Sequence, residues 1–499
     1  LEQKLESLAN ALVPKHGQDD EVTLGNPAQP TSTGTFSVEE TSLDPDTRDV
    51  HATPEITLGS ALIVSQYTMS DTAVSFANLS RCELENLLNR YKTLMAPHMP
   101  FVSQHALPIT ASSNTSPLLF KAIVAVAYFH DMRVQKMLVE ELIGNIMLGV
   151  FTNAEKSLDM LQALLILCAW YNPHVFTSSS HTSLLHLCMA LTTDLAIDRD
   201  PLSCEMAHMA AALKSCGIPQ PAKTVSDGER RAVLGVFWLV STVFTSFRKT
   251  DVPSWTPWHQ QCLETLKKTG LESDKLLLRL VQSQKIMHQA MSQSLLHTPE
   301  ALQTEVDEVE PADMNTADDL TRTLLSLQHS CARIAIWEPS FLTHNLDGIW
   351  SCISSLTSYL TLYNSLPVPS YPTIPFTVFA QFAYVFVVMV RASSTHFDGF
   401  DGTLLRELID FEKVMEQASE KYEAVARLEV DGVRVRSGGF AEWAAKCRWA
   451  KTFYGMKARE MASETAKGGG TDTCGDPTLV DGFPGGSEWV GCDEFRLDF

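Results

Sequence analysis

The sequence predicts an all-α protein: a large multi-helix body, built as two lobes, between a disordered linker and a disordered C-terminal tail. Three observations carry this. Apolar residues recur at helical spacing almost without interruption from about Ser75 to Ala462. Caps and breakers punctuate that pattern at helix-length intervals. Finally, a chain of 499 residues that is 45% hydrophobic and 19% charged can bury a large core. A body of roughly 385 residues exceeds what one core usually supports, hence two lobes, with the boundary expected near Pro299–Asp319.

The chain opens on "LEQKLESLANAL". Leu1, Leu5, Leu8 and Leu12 alternate steps of four and three, as a coiled-coil seam does, with Glu2 and Lys4 at the flanking charge positions. A helix of a dozen residues is marginal alone, and this one begins on a core leucine without an N-cap. The expectation is a dimerising remnant over 1–14 that continues upstream. Residues 15–74 are rich in Pro, Gly, Ser, Thr and acids. The stretch "GQDDEVTLGNPAQPTSTGTFSVEETSLDPDTRDVHATPE" holds nine acidic residues against one Arg, so it reads as a disordered acidic linker.

The helical body follows, over 75–462. "SRCELENLLNRYKTLM" carries a capping box, Ser80 with Glu83, ahead of Leu84, Leu87, Leu88, Tyr91 and Leu94. "PHMPFV" ends that helix, and Pro117 starts the next, "SPLLFKAIVAVAYFHD". "SLDMLQALLILCAWY" is apolar around most of its circumference, which marks a helix buried on several sides. "HTSLLHLCMALTTDLAIDRDP" stops at Pro201. "DGERRAVLGVFWLVSTVFTSFRK" places Glu229 at its positive end and Arg248 and Lys249 at its negative end.

Further helices are expected over Ser273–His297, Asp318–Trp337, Leu346–Ser365, Phe376–Ala392, Thr403–Arg427 and Phe440–Ala462. The acidic stretch "PEALQTEVDEVEPADMNTADD" reads as a surface loop. "LEVDGVRVR" reads as a short hairpin turning at Asp431-Gly432. No charge occurs from Gly348 to Val390, so "IPFTVFAQFAYVFVVMV" must be weighed as a membrane span. Pro375, Thr377 and Gln381 within it favour a buried core helix, and no membrane partner is expected.

The net charge of −21 argues against a nucleic-acid groove within these residues. Eleven cysteines include no C-x-x-C, so no zinc module is present, and Cys168 and Cys188 read as small buried hydrophobes. No G-x-G-x-x-G, P-loop, H-E-x-x-H or G-x-S-x-G occurs, so no catalytic residue and no metal ligand is assigned, and the chain is read as no enzyme. His186 reads as a hydrogen-bonded core histidine rather than a ligand. Met132, Met137, Met147, Met160 and Met189 are either core or the lining of an adaptable apolar pocket. The tail, 463–499, interleaves acids with Phe483, Trp489, Phe495, Leu497 and Phe499. It is either an inert end or an activation segment offering aromatic anchors to a partner's groove.

"LLNRYKTLMAPHMPFV", "LLFKAIVAVAYFHD", "SLDMLQALLILCAWY", "LCMALTTDLAIDRDP" and above all "ERRAVLGVFWLVSTVFTSFRKTDVPSWTPWHQQCLETL" together resemble the middle homology region of fungal zinc-cluster transcription factors. The similarity is strongest toward regulators of secondary-metabolite gene clusters and of weak-acid stress. It runs in order from about Ser75 to Lys268. The resemblance implies a nuclear, homodimeric transcription regulator. It also implies that a six-cysteine cluster binding two zinc ions reads DNA from a module upstream of this chain, and that "LEQKLESLANAL" is the family's dimerising coiled coil. The six cysteines themselves are not in this sequence, so zinc and DNA contact fall on no residue here. The tail would then meet the transcription machinery, and the body would answer a small-molecule effector. The alternative is a cluster-less helical regulator that binds a protein partner or a small apolar effector without contacting DNA.

Overall fold

A computed structural model describes residues 75–466 except for short internal stretches, the longest being 104–115, 172–179, 217–223 and 310–317. The leucines at 1, 5, 8 and 12, the acidic linker and the aromatic tail lie outside the described residues. The described residues fall in one compact unit and are overwhelmingly helical.

The helices are α1 (Arg81–Leu94), α2 (Pro117–Ala127), α3 (Met132–Met147), α4 (Leu158–Ala169), α5 (His181–Asp194) and α6 (Asp227–Ser246). They continue as α7 (Pro257–Lys267), α8 (Glu272–Met291), α9 (Pro299–Val309), α10 (Asp319–Trp337), the single turn α11 (Ser340–Thr343) and α12 (Leu346–Ser365). The last three are α13 (Phe376–Ser394), α14 (Phe411–Val425) and α15 (Gly438–Ala466).

Local chemistry sets many of the starts. Ser80 caps α1 by accepting from the Glu83 amide, but the Glu83 carboxylate does not return to the cap; its Oε1 accepts from the Tyr128 hydroxyl at 2.8 Å. The reciprocal capping box occurs instead at α6, between Ser226 and Glu229. Pro117 opens α2 as expected. The helix expected over Thr403–Arg427 comes in two pieces: residues 402, 405 and 408 are helical, the run breaks at 409–410, and Asp410 caps α14. Ahead of it, directly after α13, a hairpin of β1 (His396–Phe397) and β2 (Phe400–Asp401) that the pattern does not suggest pairs His396 with Asp401 and Phe397 with Phe400. The expected hairpin is present as β3 and β4, with Glu429 opposite Arg434 and Val430 opposite Val433.

Two expectations are overturned. Residues 299–309 are not loop but helix α9: Leu302 and Val306, one turn apart, are both buried against the body. Two apolar anchors suffice to seat a helix whose other faces are acidic and solvated. Among the described residues there is also no boundary between two lobes. Buried apolar side chains form one continuous cluster from Leu87 to Tyr454, and α8, α9 and α10 pack together across the place where a split was expected.

Helix α6 is the axis of the body. Nearly every residue from Arg231 to Ser246 is buried, and α4, α5, α7, α8 and α13 pack around it. Gly235 gives this helix its close neighbour: a Cβ there would sit 2.8 Å from Cβ of Phe101, whose ring stacks on Trp238. The apolar window Phe376–Ser393 is long enough to cross a bilayer, yet 83% of it is buried inside the protein, the core reading expected from its polar residues. On the far side, α14 and α15 form an antiparallel pair. Ser419 Oγ donates to the Ala444 carbonyl, Lys451 bonds Glu416, and Tyr454 stacks on Phe411.

Candidate functional site

Two features concentrate chemistry: a cleft on the surface and a polar spine through the core.

The cleft, of about 560 Å³, lies between α10 and α12, with Gln303 of α9 at its edge. Helical spacing lines it. Ser330, Arg333 and Trp337 come from one face of α10, while Ser351, Ser354, Ser355 and Ser358 lie at i, i+3, i+4 and i+7 along α12. The hydroxyls of Ser351 and Ser355 donate to the carbonyls of Asp347 and Ser351, at 2.9 and 2.8 Å, which leaves their oxygens able to accept. Helix α9 is fastened to this wall by two bonds: the Trp337 indole donates to Gln303 Oε1 at 2.9 Å, and Arg333 donates to Asp307 at 2.8 Å. Beside the cleft, His329 is almost fully buried and neither ring nitrogen has a hydrogen-bond partner. Burial, with Arg333 and Arg279 adding to it, pushes its pKa down to about 4, so the ring is neutral at pH 7.

An aromatic, hydroxyl-lined cleft with one guanidinium is suited to holding a ligand or peptide that combines flat apolar surface with acceptor groups. The serine stripe is readable in the sequence as a polar face at helical spacing within the uncharged stretch Gly348–Val390.

The spine crosses four helices. Gln381 of α13 donates to Gln328 of α10 at 2.7 Å, and Gln328 donates to Gln284 of α8 at 3.0 Å. Gln284 then donates to Ser241 and Thr245 of α6, at 2.9 and 3.2 Å. All five side chains are buried. At the end of α10, Glu338 collects a second set. Its Oε2 accepts from Tyr384 at 2.7 Å, and its Oε1 accepts from Arg391 at 2.7 Å and from Arg248. Arg248 reaches it from a left-handed backbone conformation, φ 50°, which costs about 1 kcal/mol or more for a side-chain-bearing residue. Burial and the Glu338 charge together push the Tyr384 hydroxyl pKa well up.

The other sequence candidates are dispersed. His186 is hydrogen-bonded to the Thr182 carbonyl at 2.9 Å but is no core residue; its ring is 43% exposed and faces Asp251. The buried histidines are His98, His181 and His329. Of the five methionines only Met160 is fully buried, Met137 is exposed, and none of the five lines the cleft. Cys168 and Cys188 are buried as expected, and burial, with the neighbouring Cys188, pushes the Cys168 thiol pKa up. Among the described residues no group of three or more His, Cys, Asp or Glu is gathered for a metal ion. The dimerisation candidates Leu1, Leu5, Leu8 and Leu12, and the activation-segment candidates from Phe483 to Phe499, lie outside the described residues.

The family model of the WAR1 C-terminal domain matches residues 58–332, more than half of the chain. Over 423 residues the chain is 24% identical to "Transcription factor opdL" of Penicillium oxalicum, covering 77% of this chain and 70% of that protein. It is 31% identical over 217 residues to "Transcription factor himD" of Aspergillus japonicus, covering 43% of this chain and 36% of that protein. It is 22% identical over 216 residues to "Transcriptional regulator WAR1" of Candida albicans, covering 41% of this chain and 22% of that protein. No solved structure matches the chain.

Proposed function

Because the chain belongs to the WAR1 C-terminal domain family of fungal transcription regulators, we propose that it is the regulatory body of a nuclear, homodimeric factor whose DNA contact lies in a zinc-cluster module outside these residues. The observation that carries this reading is the family match across 58–332, joined to a body that is overwhelmingly helical among the described residues. The acidic balance supports the division of labour. A net charge of −21 suits a regulatory surface and would repel a phosphate backbone, so the Lys and Arg that DNA binding needs must come from elsewhere in the protein. In this reading the "LEQKLESLANAL" seam pairs two chains and sets the spacing of two DNA half-sites. The tail, with Phe483, Trp489, Phe495, Leu497 and Phe499, meets the transcription machinery, and no step of the role is enzymatic.

The coding DNA upstream of Leu1 tests the proposal. Six closely spaced cysteines among Lys and Arg are expected there, and an in-frame stop directly upstream would overturn the DNA-reading role. The cleft between α10 and α12 favours a second reading, a regulator answering a bound effector, since it offers indoles, hydroxyls and a guanidinium in one concavity. That effector would be polar and flat rather than the purely apolar molecule that methionine lining implied.

A further inference from the structure

Leu342 is 68% exposed, Leu346 39% and Trp350 48%. Leu346 and Trp350 lie one turn apart on α12 and Leu342 four residues earlier on α11, an apolar strip in chain order beside the Arg333 cleft, which Trp350 lines. The β1–β2 hairpin backs the strip. Phe400 packs edge-on against Trp350 and Phe341, with ring centroids 6.4 and 6.3 Å away, and Phe397 stacks on His344. At the hairpin tip, Gly399 lies beside Leu346. Three large apolar side chains this exposed at one built site mark a surface that is covered by something.

The course of the chain points to the occupant. Helix α14 runs antiparallel to α13, with Tyr422 beside Phe379 and Phe411 beside Phe386. Helix α15 runs antiparallel to α14 in turn, with Tyr454 stacked on Phe411, so it runs parallel to α13. Beyond Tyr454 it continues to Ala466, about 18 Å of helix, in the direction in which α13 leads to the hairpin. Helix α15 therefore ends, at Ala466, toward the end of the body that carries the strip. Fully extended, residues 467–499 reach about 100 Å, far more than this requires. Their composition is complementary. They hold Phe483, Trp489, Phe495, Leu497 and Phe499 for an apolar strip, and seven acidic residues against Lys467 and Arg496 for a guanidinium.

We propose that the segment 467–499 folds back on its own chain and docks on the Leu342–Leu346–Trp350 strip, with its aromatic side chains on the apolar residues and its acids competing with Asp307 for Arg333. The same aromatic residues cannot serve the strip and a partner's groove at once, so docking holds the segment out of use until something displaces it. Docking stands whether or not that partner is the transcription machinery.

The test uses the full 499-residue chain with the photo-cross-linker benzoylphenylalanine in place of Trp489 or of Phe495, and adducts mapped by mass spectrometry. Adducts within residues 338–351 are expected, at a yield independent of protein concentration. Leu342→Glu lowers that yield by about fivefold or more while leaving the melting temperature unchanged, since the side chain is mostly in water. Should Leu342→Glu prove unstable, Phe495→Asp with Phe499→Asp provides the second arm: hydrogen exchange across 340–350 must rise relative to the parent chain. Adducts elsewhere, no adduct, or adducts joining isotopically light and heavy chains in a mixed sample overturn the proposal, the last because a second copy is then the occupant.

Discussion

Arg231 and Asp274 meet through two parallel hydrogen bonds, Nε to Oδ1 at 2.7 Å and Nη2 to Oδ2 at 2.8 Å, with both side chains buried between α6 and α8. The Thr269 hydroxyl donates to Oδ2 as well, at 2.5 Å. Such a pair is expensive to break because the surviving charge stays in the interior. Asp274→Ala is expected to cost about 3–5 kcal/mol in urea unfolding, whereas Arg231→Met with Asp274→Leu costs much less than the single change. A double variant as unstable as Arg231→Met and Asp274→Leu added together would mean that the pair is not coupled.

The amide spine makes a second expectation. Gln328→Leu removes one link and strands two others, the Gln284 oxygen and the Gln381 amide. Each stranded buried group costs about 1–3 kcal/mol, so the loss is expected to exceed that of a surface Gln→Leu change many times over. Equilibrium unfolding with tryptophan fluorescence measures it. A loss below about 0.5 kcal/mol, the range of surface substitutions, would show that the spine contributes nothing.

Stability should also fall in weak acid. His98 is buried and bonds the Thr321 hydroxyl at 3.0 Å; burial pushes its pKa down to about 4, against the opposing pull of Asp318. The unfolded chain takes up this proton near pH 6.5 and the folded chain only near 4. Between those values the unfolded state holds more protons, so stability rises with pH across the window and is lost as pH falls through it, by roughly 3 kcal/mol at most for this one group. His181, lowered to about 3, and His329 act in the same direction. His98→Gln should flatten the slope of unfolding free energy between pH 4 and 6.5, and an unchanged slope would clear His98 of this role.

Helices whose apolar faces are long were legible residue by residue. Leu346–Ser365 has the expected bounds, and α6 is buried as "VLGVFWLVSTVF" implies. Elements held by few contacts were not. Leu302 and Val306 are the two buried anchors of α9 among its acids, and the β1–β2 hairpin pairs only two residues on each side, too few for an alternation to register. The spine was beyond reach for another reason. Its glutamines lie 44 and 53 positions apart, and sequence order says nothing of which amide will face which. The cleft was half legible: its serines keep helical spacing, but Arg333 and Gln303 join them only through the packing of α9 and α10.

Four helices threaded on one run of amides are free to do one thing and barred from another. Sliding a helix by a turn, about 5.4 Å, would break that helix's own links and strand buried polar groups, whereas a tilt about the run disturbs each bond only slightly. A rearrangement of these four helices is therefore cheaper as a pivot than as a slide. The widest swing would fall at the far ends of the helices, where Arg248 and Arg391 grip Glu338 and the small hairpin beyond α13 overhangs Trp350.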